Sequence, residues 1–165
     1  MSYILYELAT HQDFQETLRE EIENARESKD DNGLSYDTIE SLPYLDAIIH
    51  ETLRRHPVIP MLERPCTKEY KLPNTEGLII KKGDIIRINN IGICFDPDIF
   101  PNPDEWNPDN FSKENREKRN PYTFLAFSLG PRNCLAMRFA LFEMKVAISH
   151  LVSKFKILPT NKILN

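Results

Sequence analysis

Glycine and cysteine are both scarce in this sequence, with five and three among 165 residues. Cys66, Cys94 and Cys134 are odd in number and far apart. They form neither a disulfide framework nor a zinc-ligand pattern, and they point to a reducing compartment. A phosphate-cradling loop is also missing, because Gly130-Pro131-Arg132 lacks the G-x-x-x-x-G-K-[ST] spacing. No apolar run reaches the roughly 18 residues needed to span a bilayer. Residues 1–10 (MSYILYELAT) are too short, and lack the basic leader, for a secretory signal. There is no Lys/Arg-rich run with interleaved aromatics, and the net charge of −4 argues against nucleic acid as a partner. His11, His50, His56 and His150 show no metal-ligand spacing with one another or with the cysteines, which leaves them ordinary core or surface roles.

What the chain has is enough apolar content, 41% against 28% charged, for one soluble globular core. Twelve prolines, most of them between Pro57 and Pro108, mark that region as turns and short extended pieces. Residues 1–10 are helix-permissive. Phe14, Leu18 and Ile22, at spacing four, predict an amphipathic helix over 11–26. The polar stretch 28–35 predicts a loop, and 35–41 a single helical turn. Pro43 opens a further helix as a first-turn proline. That helix carries Leu45, Ile48, Ile49, Thr52 and Leu53 as far as Arg55, where Pro57 and Pro60 stop it.

Residues 64–72 and 78–89 predict short strands, the second being a hairpin of two β-branched runs around Lys81-Lys82-Gly83-Asp84. Residues 90–95 fit one short helix. Residues 96–121, rich in Pro, Asn and Asp, predict an ordered irregular loop anchored by Phe100, Trp106 and Phe111. Leu141, Met144, Ile148 and Leu151 predict a final helix over 134–154, and 155–165 the start of a strand. The fold class is therefore mainly α with small antiparallel β pieces.

Cys134 lies in Phe127-Ser-Leu-Gly-Pro-Arg-Asn-Cys134, directly ahead of that final helix. A helix mouth, with free N–H groups and a positive dipole end, keeps the proton off a thiol and makes it a metal ligand. Gly130 lets the backbone come close to a flat ligand, and Pro131 stiffens the turn. Arg132 offers a fixed fork of donors for a carboxylate. A large planar cofactor carrying acid groups uses all of these parts. An isolated cysteine in such a place is most often a small buried hydrophobe, so the surrounding residues must carry the ligand reading. They do so by resemblance. Phe127, Gly130, Arg132 and Cys134, with Ala136 where a glycine is usual, resemble the haem-ligand signature F-x-x-G-x-R-x-C-x-G of the cytochrome P450 family.

Glu51 and Arg54 lie three apart on one face of the Pro43 helix. Most such pairs are exposed and worth under ~1 kcal/mol. In an apolar helix that ends in a His-Pro turn ahead of strands, E-x-x-R resembles the second P450 signature, which implies a buried pair tying the helix to the irregular loop. The family completes a triad with an Arg in a P-E-R-F-like segment. Pro108-Asp-Asn-Phe111 matches that segment with Asn110 in the Arg place, and a neutral amide cannot supply a cationic fork, which implies a weaker tie. The resemblance further implies Cys134 as thiolate ligand of haem b (iron protoporphyrin IX), with Phe127 packed beside the sulfur. It implies Arg132 and Arg64 as partners of the two haem acid groups, and Val58, Ile59, Pro60, Met61 and Leu62 as lining of a substrate pocket.

The order of elements over residues 1–165 resembles the C-terminal part of an animal microsomal P450, most like the insect detoxification group, as one partial P450 domain. The resemblance implies a haem-thiolate monooxygenase that inserts one oxygen atom from O2 into a lipophilic organic substrate. It places that enzyme at the cytoplasmic face of the endoplasmic reticulum membrane, with an NADPH-cytochrome P450 reductase-type electron donor docking near Lys118, Arg119 and Arg138. It also implies that the membrane anchor, the distal oxygen-activating helix and the closing hairpin lie outside these residues. The rival reading is a catalytically inactive, standalone haem-binding fragment. In either reading the chain alone is expected to expose apolar helix faces and to be poorly soluble.

Overall fold

The computed structural model describes residues 1–27 and 34–160. Helix α1 (Ser2–Thr10) breaks at His11 and leads at once into α2 (Gln12–Glu27), whose Leu18 and Ile22 are fully buried. Of the polar stretch 28–35, residues 28–33 lie outside the described residues. The Ser35 hydroxyl accepts the Thr38 N–H at 3.3 Å and so starts α3 (Tyr36–Glu40). Helix α4 (Pro43–Arg55) begins with proline at its first turn. Its free N–H groups at Tyr44 and Leu45 donate to the Glu21 carboxylate of α2, at 2.7 and 3.0 Å. A carboxylate from another helix therefore caps α4 and opposes its positive dipole end.

The strands correct the hairpin expected over 78–89. Strand β1 (Met61–Pro65) and β2 (Tyr70–Lys71) form the outgoing arm, and β3 (Ile79–Ile80) and β4 (Ile85–Asn89) the returning arm. β2 pairs with β3 and β1 with β4, both antiparallel, with Leu62 opposite Ile88 and Lys71 opposite Ile79. The chain reverses at 73–77, where Asn74 and Gly77 adopt φ of 59° and 88°. Lys81–Asp84 does form a turn, with the Lys81 N–H on the Asp84 carboxylate at 2.8 Å, but this turn is a jog inside the returning arm. Cys66 spans the jog, donating to the Asp84 carbonyl at 2.7 Å and accepting from the Gly83 N–H at 2.8 Å. Gly83, at φ 96°, supplies the conformation that the jog requires.

Helix α5 (Asn90–Cys94) follows, and then the irregular segment. That segment holds a 3-10 turn at Pro108–Phe111 and, contrary to the expected unbroken loop, a helix α6 (Lys113–Lys118) capped by Ser112. The last helix, α7 (Met137–Lys154), begins after Cys134 rather than at it. Ile148 and Val152 are its fully buried apolar residues, so the inward face is turned slightly from the Leu141–Met144–Leu151 stripe. Of the strand start expected over 155–165, residues 155–160 form no strand and 161–165 lie outside the described residues. The Ile157 peptide is taken instead by Gln15, whose side-chain oxygen accepts its N–H and whose Nε2 donates to its carbonyl, both at 2.9 Å. Leu8, Leu18, Ile22, Leu45, Ile48, Ile49, Ile148 and Val152 join α1, α2, α4 and α7 in one core, with Trp106 of the irregular segment packed into it. Among the described residues the chain is mainly helical, with two small antiparallel sheets of two strands each.

Candidate functional site

Glu51 and Arg54 lie on the inward face of α4, and neither side chain is exposed. Arg54 Nε donates to Oε2 of Glu51 at 2.8 Å and Nη2 to Oε1 at 2.7 Å, a bidentate pair. Its remaining donors reach three carbonyls: Nη1 to Cys94 and Pro103 at 2.8 and 2.9 Å, and Nη2 to Glu105 at 3.0 Å. All five guanidinium donors are therefore used. Glu51 Oε1 accepts in addition the Asn107 N–H at 2.9 Å and Asn110 Nδ2 at 3.2 Å. One ion pair thus fixes α4 against α5 and the irregular segment. Asn110 reaches Glu51 through its amide alone.

A second polar cluster lies one turn earlier on α4. Asp46 contacts Arg116 of α6 at 2.7 Å and the buried Lys145 of α7 at 3.1 Å. Burial pushes the Asp46 carboxyl up, but His50, Arg116 and Lys145 together outweigh it and hold the group below its ordinary value. Burial lowers the His50 imidazole, with Asp46 working against that shift.

Of the three thiols, Cys94 is buried and burial pushes it up to about 11, which keeps it protonated. Cys66 is turned toward the carbonyls of Lys68 and Ile80 within the bent hairpin. Cys134 is exposed, and its backbone is pinned by donating its N–H to the Phe127 carbonyl at 2.8 Å. The loop between those two residues has two left-handed positions, Ser128 at φ 59° and Gly130 at φ 79°. The hydroxyl of Ser128 accepts from Arg64 Nη2 at 2.9 Å, which draws β1 to the cysteine loop. Leu62, Arg64, Ile88, Leu125, Ser128 and Gly130 line one cavity of about 390 Å³ between sheet and loop.

The structure sorts the residues singled out from sequence. Leu62, Arg64 and Gly130 face this cavity, and Phe127 is half-buried beside it in the chain. Arg132 and Ala136 are exposed on the loop and do not line it. Val58, Ile59, Pro60 and Met61 are exposed, with only Leu62 of that segment buried. Ser128 escaped the sequence reading because nothing in a lone serine announces a left-handed backbone. Arg119, expected with Lys118 and Arg138 where an electron donor docks, turns inward over Phe100 and Phe111. Lys118 pairs with Glu114 at 2.5 Å, and Arg138 is exposed.

The cytochrome P450 family model matches residues 1–164. The chain belongs to the cytochrome P450 family. It is 43% identical to rat cytochrome P450 3A2 over 96% of the chain and 31% of that protein. Against human cytochrome P450 4F11 the identity is 39%, over 98% of the chain and 30% of that protein. Against the probable cytochrome P450 6a14 of Drosophila melanogaster it is 40%, over 98% of the chain and 32% of that protein. This P450 chain thus spans about a third of the length of the relatives it matches. No helix among the described residues is long and apolar enough to cross a membrane.

The loop's own features fit the haem that P450s bind. It offers one exposed thiol, an exposed arginine fork at Arg132, and a second fork at Arg64 held against the loop by Ser128. A Cβ added at Gly130 would meet no atom within 4 Å beyond its two chain neighbours, so the space in front of that backbone is open. Leu135, next after the thiol, and Phe139, in the first turn of α7, present apolar side chains that are 102% and 71% exposed. A flat apolar ligand with acid edges matches this set.

Proposed function

We propose that this P450 chain is the haem-binding C-terminal part of a haem-thiolate monooxygenase, which inserts one oxygen atom from O2 into a lipophilic organic substrate. The exposed Cys134 thiol on a loop tied to Arg64 carries this reading. Haem b, when bound, would supply the iron at which O2 is reduced, made electron-rich by a thiolate. Cys134 Sγ would hold the iron, and Gly130 and Ala136 would keep the backbone close to the ring. Arg132 and Arg64 would hold its two carboxylates through charge-assisted hydrogen bonds. Phe127 would pack beside the sulfur and limit water there. Glu51, Arg54 and Asn110 fix the irregular segment that leads into this loop. Leu62 and the apolar residues before it, Val58 to Met61, would meet the substrate side. Electrons would come from an NADPH-cytochrome P450 reductase-type donor. The complete protein would sit at the endoplasmic reticulum membrane, anchored by segments outside these residues.

The decisive experiment is Cys134→Ser in the complete protein. The ferrous–CO complex of the parent should show the thiolate-type spectrum and that of the variant should not; an unchanged spectrum overturns the ligand assignment. Haem reconstitution of the 165-residue chain then tests the rival reading. A thiolate-type complex formed by the chain alone, without turnover, would favour an independent haem-binding fragment.

A further inference from the structure

Glu51 is a fully buried carboxylate whose bidentate partner Arg54 makes the pair neutral overall, and Asn110 adds a hydrogen bond but no charge. Two ions taken out of water hold together only when their surroundings supply further hydrogen bonds or charge. The neighbouring cations differ in what already occupies them. Arg116 is taken by Asp46 at 2.7 Å, and Arg55 lies over the Phe95 ring at 5.2 Å. Arg119 makes no ion pair among the described residues, yet it is only half-exposed. Its Nη2 donates to the Asn110 main-chain carbonyl at 2.6 Å. Its guanidinium lies 4.3 Å from the centroid of Phe100, a ring that Arg54 also approaches, at 5.1 Å. Arg119 thus shares Asn110 with Glu51 and shares Phe100 with Arg54.

We propose that Arg119 is the second cation of the Glu51–Arg54 cluster, a positioning residue that supplies from the end of α6 the charge Asn110 cannot. Residue 110 remains the junction: its amide faces Glu51 and its carbonyl faces Arg119. Burial lowers the Arg119 guanidinium, and Glu51 is the largest influence holding its charge in place. Placement at 119 also has a consequence for the cysteine loop. Arg119 is the C-cap of α6, and the chain runs from it through Asn120-Pro121 to Phe124, which packs edge-on to Phe111 at 4.9 Å. A cation fixed here orders the start of the segment that ends at Cys134.

The test is a charge-transfer pair in the complete protein: Arg119→Gln, Asn110→Arg, and both together, read by thermal unfolding with and without haem and by the ferrous–CO spectrum. Arg119→Gln should lower Tm by several degrees in both forms. It should also convert part of the spectrum from the thiolate type. Asn110→Arg in the Arg119→Gln background should restore both readouts toward the parent. If Arg119→Gln matches the parent, or if Asn110→Arg restores nothing, the proposal is overturned. Should Arg119→Gln fail to fold, recovery of folding by the double variant decides it in the same way. The spectral readout rests on the haem-thiolate reading, whereas unfolding without haem does not, so failure of one is distinguishable from failure of the other.

Discussion

Arg54 grips both oxygens of Glu51 at 2.7 and 2.8 Å, and neither side chain has any exposure to solvent. Because every remaining donor of Arg54 ends on a carbonyl of a separate segment, the pair acts as a staple rather than as a surface ion pair.

Arg54→Lys keeps the charge and should still be severely destabilising. A lysine has three donors on one nitrogen, so it cannot hold two carboxylate oxygens and three carbonyls together. Breaking one side of a buried pair costs about 3–5 kcal/mol, and the uncompensated carbonyls raise the cost further. Soluble yield and urea unfolding of the complete protein check this. A Lys variant within about 1 kcal/mol of the parent would show that the fork geometry is not needed.

The helices were legible because their apolar residues repeat at helical spacing and their starts carry local marks, Ser35 and Pro43. The strand pairing was not. Lys81–Asp84 has true turn chemistry, so a local reading joins its two flanks, while the actual partners lie on the outgoing arm starting at Met61. α6 was hidden for the opposite reason: KENREK has no apolar residue to show a period, and the helix rests on the Ser112 cap and the Glu114–Lys118 pair. At the site, E-x-x-R and the cysteine loop could be read as short spacings. The inward turn of Arg119 could not, because it depends on two phenylalanine rings distant in sequence.

Trp106→Phe separates hydrogen bonding from packing in the core. The indole Nε1–H donates to Thr52 Oγ1 at 3.2 Å, and the ring packs against His11 and Phe14 at centroid distances of 5.1 and 5.6 Å. The Thr52 hydroxyl keeps its own bond to the Ile48 carbonyl at 2.8 Å, so the substitution leaves no donor stranded. The expected loss is about 1–2 kcal/mol. Trp106→Ala, which opens a cavity, should cost about 3–5 kcal/mol. Denaturant midpoints of the two variants that coincide would contradict this ordering.

Acidification should destabilise the fold through His50. Its folded pKa lies below the ordinary 6.5 because of burial, so between the two values the unfolded chain binds the extra proton. Stability therefore rises with pH across that window, is complete above 6.5, and is lost as pH falls below it. The charged imidazole would also face Arg116 and Lys145, with Asp46 opposing them. Asp46, held below its ordinary value, adds a loss of the same sign at lower pH. Glu21, raised above 4.5 mainly by burial, works in the opposite direction, since its contribution improves as it protonates. The informative quantity is hence the difference between the parent and His50→Gln. That difference should shrink as pH is lowered from about 8 to about 5 in denaturant titrations. A difference independent of pH would remove His50 as the titrating group.

Gly130→Ala should weaken haem retention more than it weakens the fold. At φ 79° an L side chain is strained, with a cost of about 1–2 kcal/mol. Beyond its own chain neighbours the new methyl meets no protein atom within 4 Å, so that backbone strain is the whole steric cost within the chain itself. If the backbone at 130 faces the haem as proposed, that methyl enters the ligand's own space and the penalty falls on binding. Thermal unfolding of the haem-free protein gives the first cost. Haem transfer to an acceptor apoprotein gives the second, which should exceed the tenfold that about 1.4 kcal/mol represents. Equal, small changes in both would mean that residue 130 does not touch the haem, and that its glycine serves only the turn leading to Cys134.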